Sequence, residues 1–259
     1  MTDWTALQQA YGPADDVPAM LARAGGAGPD AEQAWEELWN SLCHQGTVYT
    51  ASYPAIPYLA DLASRTTPGA HIHPVQLAAH IISSTDTPDD VALPQIRARY
   101  ATSLAALERH AWTWLHLPEV RQDADAFVYL LQAILAFRGV PVWQNRLDYL
   151  AGDGLEISCP GCAEDVYAHI SATHGFLTCD PHDRTALVAA DPGGLEGVGA
   201  WLHSTAAELG QASVAQQVTY LFGRARCPRL RRGVHRGRRR RSRCPVRQRP
   251  QDSIGPCGS

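Results

Sequence analysis

The sequence predicts a mainly α protein in three parts. Antiparallel helix pairs, stacked as an α-solenoid, occupy residues 1–151; a small α+β cysteine-bearing module occupies 152–228; a disordered Arg-rich tail occupies 229–259. Three observations carry this. Apolar residues recur every three or four positions from Trp4 to about Leu150, between short polar turns. After Gly152-Asp153-Gly154 the spacing changes to strand-like alternation around Cys159-Pro160-Gly161-Cys162. Beyond Cys227 no periodicity survives.

In chain order, residues 4–11 and 16–24 read as two short helices, the second stopped by Gly25-Gly26. Asp30 can cap the next helix, in which Ala31, Ala34, Trp35, Leu38, Trp39 and Leu42 form one face and which Gly46 ends. From Thr47 to Ser64 the apolar spacing is again helical, but Pro54 and Pro57 predict a kink or restart because proline removes a donor and clashes with the preceding turn. His73 to Ser84, Leu93 to His116 and Glu119 to Arg138 follow as helices, with Pro118 dividing the last two and Gly139-Val140-Pro141 closing the series. Connections this short join antiparallel neighbours.

In the module, Leu155 to Ser158, Val166 to Ile170 and Phe176 to Cys179 read as strands. Two helices follow, roughly Leu195 to Leu209 and Ala212 to Phe222.

Apolar content of 45% and aromatic content of 8% in 259 residues predict a packed core and exclude a disordered chain. The start, Met1-Thr2-Asp3-Trp4, has neither a basic nor an apolar run, and no stretch of about 18 apolar residues follows, so the expectation is a cytoplasmic protein with no membrane partner. Residues 227–259 hold 11 of the 22 basic residues and one acid, Asp252. The rest sets 11 Arg against 25 Asp and Glu, a charge of −14. Such a body favours a basic partner.

Seven cysteines, an odd number, fit a reducing compartment and make metal binding the expected use of any pair. Cys159 and Cys162 form a Cys-x-x-Cys knuckle whose Pro and Gly let both thiolates face one ion. Structural zinc needs further ligands; Cys179, Cys227 and Cys244 are the later candidates. Cys227-Pro228 repeats the start of the knuckle, so the expected metal set is Cys159, Cys162 and Cys227, with zinc as the ion. The position that would complete the second knuckle holds Leu230.

The tail reads as coding sequence in the wrong frame. Degenerate codons permit removal of a single cytosine at Pro228 to yield Pro-Asp-Cys-Gly-Glu-Val-Phe-Thr-Val-Ala-Asp-Ala-Val, which restores a Cys-x-x-Cys spacing and ends the abrupt change in charge. The alternative is an arm for nucleic acid, gaining affinity by counterion release. Aromatic residues for base stacking are absent from it.

Other constellations are weak. His71, His73 and His80 lack the acid and spacing of a helical metal site. Cys43-His44 are adjacent and cannot form a nucleophile and base couple within one helix. Gly193-Gly194-Leu195-Glu196-Gly197 has no Lys and reads as a loop. Trp35, Trp39, Trp112 and Trp114 are expected in the core, except that Trp112 and Trp114 cannot share a helical face, so one of them points to a partner surface.

The run His44 to Leu59, together with Cys159-Pro160-Gly161-Cys162 and Tyr220-Leu221-Phe222-Gly223-Arg224-Ala225 leading into Cys227-Pro228, resembles HEAT-like helical-repeat proteins of high-GC bacteria. The resemblance implies an α-solenoid with a zinc-knuckle region near the C-terminus and brings no established activity. The functional expectation is a non-enzymatic protein-binding scaffold or adaptor with a structural zinc. Its alternatives are a hydrolase-type enzyme assembled across helices, and nucleic-acid binding through the tail.

Overall fold

The computed structural model describes residues 2–66, 72–89, 91–152, 154–180 and 183–228, with the backbone of 244–245. It is mainly helical with small antiparallel sheets. Two compact units divide the chain, Met1–Asp148 and Tyr149–Ser259. No helix among the described residues is long and apolar enough to cross a membrane.

The first unit holds α1 (Val17–Ala24), α2 (Pro29–Leu42), α3 (Ser52–Arg65), α4 (His73–Ser83), α5 (Leu93–Arg99), α6 (Ala101–Leu115), α7 (Pro118–Gln122) and α8 (Ala124–Arg138). Their packing follows from the apolar stripes. α1 lies on α2, α3 on α4 and α6 on α8, and successive pairs meet helix to helix: α2 on α4, α3 on α6, α4 on α8. The stripes bury Leu38, Leu42, Ile56, Leu59, Leu77, Ile81, Leu107, Leu115, Leu130 and Leu131 to below 2% exposure, and at roughly 1.5–3 kcal/mol for each fully buried side chain this burial dominates the unit.

Several boundaries differ from the sequence expectation, each for a local reason. Residues 4–11 are not one helix: a 3-10 turn at Trp4–Ala6, capped by Asp3, runs into a hairpin of β1 (Gln8–Gln9) and β2 (Gly12–Pro13). Gly12 at φ 132 permits the reversal. A second hairpin, β3 (Cys43–His44) with β4 (Thr47–Val48), replaces the start of the expected helix at Thr47; Gln45 and Gly46 at φ 51 and 89 form its two-residue turn.

α3 then runs as one helix through Pro57, without the expected restart. Pro54 falls in its first turn, where a backbone N–H has no intrahelical acceptor. α2 is entered from Gly28 rather than capped by Asp30, which pairs instead with Arg23 at 3.2 Å. The helix expected from Leu93 to His116 is interrupted at Tyr100, and the one from Glu119 is interrupted at Asp123, whose carboxylate accepts from the Asp125 and Ala126 N–H groups to start α8. Gly139 at φ 67 ends α8 as expected, with Val140 N–H donating back to Leu135 O at 2.9 Å.

Arg97 ties this unit together in a way periodicity does not reveal. Its guanidinium donates to Phe137 O at 3.1 Å, Ala136 O at 2.8 Å and Ile82 O at 3.3 Å, meeting the last carbonyls of both α8 and α4. Burial holds its pKa below the usual arginine value.

The second unit is built on an antiparallel four-stranded meander, β5 (Leu155–Ser158), β6 (Asp165–Ile170), β7 (Gly175–Asp180) and β8 (Asp183–Ala186), in chain order. The first three are the expected strands; β8 was missed because Asp183-Arg184-Thr185-Ala186 has no apolar alternation. Side chains two apart share a face, so Leu155, Ala168, Leu177 and Thr185 line one buried row. α9 (Gly197–Glu208) pairs with α10 (Ala212–Leu221), and α10 rests against β6, burying Leu202, Val214 and Val218. Gly223 N–H donates to Tyr220 O at 3.0 Å to end α10. β9 (Arg224–Ala225) follows and pairs with β10 (Cys244–Pro245). The expected disorder and frame change of residues 229–259 otherwise lie outside the described residues.

Candidate metal centre

Two local structures deliver three thiols to one point. Cys159 and Cys162 sit in the turn between β5 and β6, where Cys159 N–H donates to Glu164 O at 2.9 Å and Ala163 N–H to Cys159 O at 2.8 Å. This closes the knuckle. Gly161 N–H donates to Cys159 Sγ at 3.4 Å, and the Glu164 N–H likewise favours a charged Cys162 sulfur. N–H groups aimed at sulfur stabilise thiolate, the form that binds metal. To complete the turn Ala163 takes φ 58, a left-handed conformation that costs a non-glycine residue roughly 1–2 kcal/mol.

The third thiol comes from the chain beyond α10. Val188 and Arg224 exchange two backbone hydrogen bonds of 2.8 Å each, Val188 N–H to Arg224 O and Arg224 N–H to Val188 O. This bridge anchors β9 beside the end of the meander. Cys227 follows three residues later.

The Sγ atoms of Cys159, Cys162 and Cys227 all lie within 4.8 Å of one another, and Cys162 and Cys227 are 3.7 Å apart. Tetrahedral Zn–S bonds of about 2.3 Å set sulfurs at about this spacing. Cys159 and Cys227 are each 3% exposed, and with Val166 they form a small core on which Ile157, Cys162 and Cys179 pack. Burial, and then the neighbouring thiols, push the Cys162 pKa up to about 11 without metal. Gathering three thiols, two of them buried, is therefore unfavourable for their charged forms unless a cation compensates. The cluster can hold a metal ion. It is the one grouping of three or more such ligands among the described residues.

The other constellations end elsewhere. Cys43 is buried on β3 with its pKa pushed up to about 11 by burial, while His44 turns its Nδ1 to the Tyr11 hydroxyl at 3.3 Å, so the two do not form a catalytic couple. His73 stacks on Trp35 at 5.4 Å and His80 makes a T-shaped contact with Trp39 at 5.2 Å, as packing groups between α2 and α4; His71 lies outside the described residues. Burial lowers the His80 pKa, opposed by Asp148. Gly193 and Gly194 lie in a 3-10 turn capped by Asp191. Trp35 and Trp114 are core, Trp39 is half-buried, and Trp112 is the outward member of its pair at 39% exposure.

Sequence reasoning missed one polar cluster. The two hairpins bring Tyr11 against His44, with Tyr49 near enough to feel Tyr11 and Asp86, and Thr47 Oγ1 donates to the Asp86 carboxylate. Desolvation raises the Tyr49 pKa, reinforced by Asp86 and Tyr11. Gln45-Gly46 as a two-residue turn between apolar runs was the available signal.

No protein-family model matches this chain, and no curated protein or solved structure matches it either. The fold and the cluster therefore define it on their own terms, as a mainly helical chain with a cysteine site able to hold a metal ion.

Proposed function

We propose that the protein is a non-enzymatic protein-binding scaffold whose second unit is held by structural zinc on Cys159, Cys162 and Cys227. The observation that carries the zinc is the convergence of three thiols from two separate segments within 4.8 Å. A soft, all-sulfur donor set suits zinc rather than magnesium or calcium. Cys159 and Cys227 are buried beside Val166 with half-buried Cys162 packed on them, a setting that suits a closed structural ion better than a reacting one.

The scaffold reading rests on the first unit. Helix pairs that meet their successors helix to helix are the packing from which a HEAT-like α-solenoid is made, and such stacks present extended faces to partners. Trp112 on α6 is an exposed aromatic anchor on one such face. With −14 carried by the first 226 residues, the partner is a protein with a basic surface.

Affinity capture with quantitative mass spectrometry, comparing the chain with Trp112→Ser, tests this. A basic protein enriched by the first and lost from the second is the expected result. Turnover in a broad hydrolase screen, with no such partner, would replace the scaffold with an enzyme. Zinc is tested separately, by metal content near one per chain that falls in Cys159→Ser.

A further inference from the structure

Three thiols leave a tetrahedral ion one ligand short, since structural zinc takes four protein donors. We propose that Cys179 is the fourth ligand, an inference that rests on the zinc reading above.

Register places it there. Inward positions of the meander run in rows: Leu155, Ala168 and Leu177 form one, and Ile157 faces Val166 in the next. Tyr167 pairs with Thr178, so continuing that register by one step sets Cys179 beside Val166. Cys159 is two residues beyond Ile157 and so continues the same face. Half-buried Cys179 accordingly packs on the core of Cys159, Val166 and Cys227.

The backbone at Cys179 is also irregular in a useful sense. The β7–β8 register shifts between Thr178, paired with Arg184, and Asp180, paired with Asp183, so Cys179 falls at a bulge. Thr178 Oγ1 donates to Asp180 O at 2.6 Å and accepts from Asp180 N–H at 3.3 Å, closing a local bond around it. Bulges re-aim a side chain. The group of mutually close sulfurs stops at three, so Cys179 reaches the ion by a change of χ1 rotamer, which moves a sulfur by about 3 Å. Binding the ion displaces the thiol proton to solvent and forms the fourth metal–sulfur bond; no oxidant or reductant takes part.

Cobalt(II), which takes the same ligands, reports the number of thiolates through the intensity of its sulfur-to-metal charge-transfer bands. With the full chain, Cys179→Ser is expected to lose about a quarter of that intensity and to weaken metal binding on the order of 100-fold, while Cys43→Ser changes neither. Unchanged intensity in Cys179→Ser overturns the assignment and leaves the three-thiol zinc site standing. Absence of charge-transfer bands in the unsubstituted chain removes the zinc reading itself, and the assignment with it. Should Cys179→Ser fail to fold, alkylation of the unsubstituted chain followed residue by residue decides. One equivalent of zinc should slow reaction at Cys179 roughly tenfold or more, as at Cys162. Protection of Cys162 without protection of Cys179 overturns the proposal.

Discussion

The two units reach an ordered interior by different routes. In the first, helices with continuous apolar stripes bury Leu38, Leu59, Ile81, Leu107, Phe127 and Leu131 completely, and Gln132 Oε1, buried among them, accepts from the Asp148 N–H at 2.7 Å. In the second, one end of a short meander is filled by Cys159, Cys227 and Val166, with Cys162 and Cys179 against them. Aliphatic burial needs no partner outside the chain. Elsewhere the second unit also buries aliphatic side chains, among them Leu155, Leu177, Leu202, Val214 and Val218, so its thiol-lined end is the part poorer in apolar area and the part that a bound ion would stabilise.

The largest expected effect breaks this contrast at its weaker side. Cys159→Ser should abolish metal uptake and the cooperative unfolding of the second unit, while the first keeps its transition. Residue-resolved hydrogen exchange with and without a chelator reads both at once. Loss of protection in both units together would show that the contrast is wrong.

Leu131→Ala is the counterpart in the first unit. Filling is complete there, so the cavity should cost about 2–5 kcal/mol in denaturant unfolding of that unit. The cost should be the same with zinc and with chelator.

Arg97→Met comes next, at about 2–3 kcal/mol, because it leaves the carbonyls of Ile82, Ala136 and Phe137 without their charged donor. Arg97→Lys should recover only part, since one ammonium cannot reproduce the planar fork. Full recovery by Lys in thermal melts would reduce the interaction to charge alone.

Acid should act on the first unit through His80. Burial depresses its folded pKa, so above the unfolded value of about 6.5 the ring is neutral in both states and nothing is lost. As pH falls through 6.5 the unfolded chain takes up a proton that folded His80 resists. Stability declines until the pH is below the folded pKa. His80→Leu should flatten that part of the Tm profile between pH 7 and 5; an unchanged profile would assign the loss to other groups.

The smallest effect belongs to the knuckle. Ala163→Gly relieves the left-handed strain at φ 58 and should stabilise the metal-bound second unit by about 1 kcal/mol, offset in part by glycine's greater freedom when unfolded. No gain in its melting temperature would mean that the turn holds no strain.

Much of this architecture was legible in the residues alone. The helical spacing, the change of texture after Gly154 and the strands around the knuckle are local properties, set by which neighbours share a face at periods of 3.6 and 2. The grouping of Cys227 with Cys159 and Cys162 was suggested by a repeated Cys-Pro, a pattern and not a distance. What the tertiary structure decided depends on contacts remote in sequence. The chain beyond α10 brings Cys227 to a knuckle 65 residues away, the register of β6 on β7 brings Cys179 beside Val166, and the fold of α4 and α8 lets one arginine meet two helix ends. Periodicity tells a side chain which face of its own element it occupies. Only packing tells it what lies opposite.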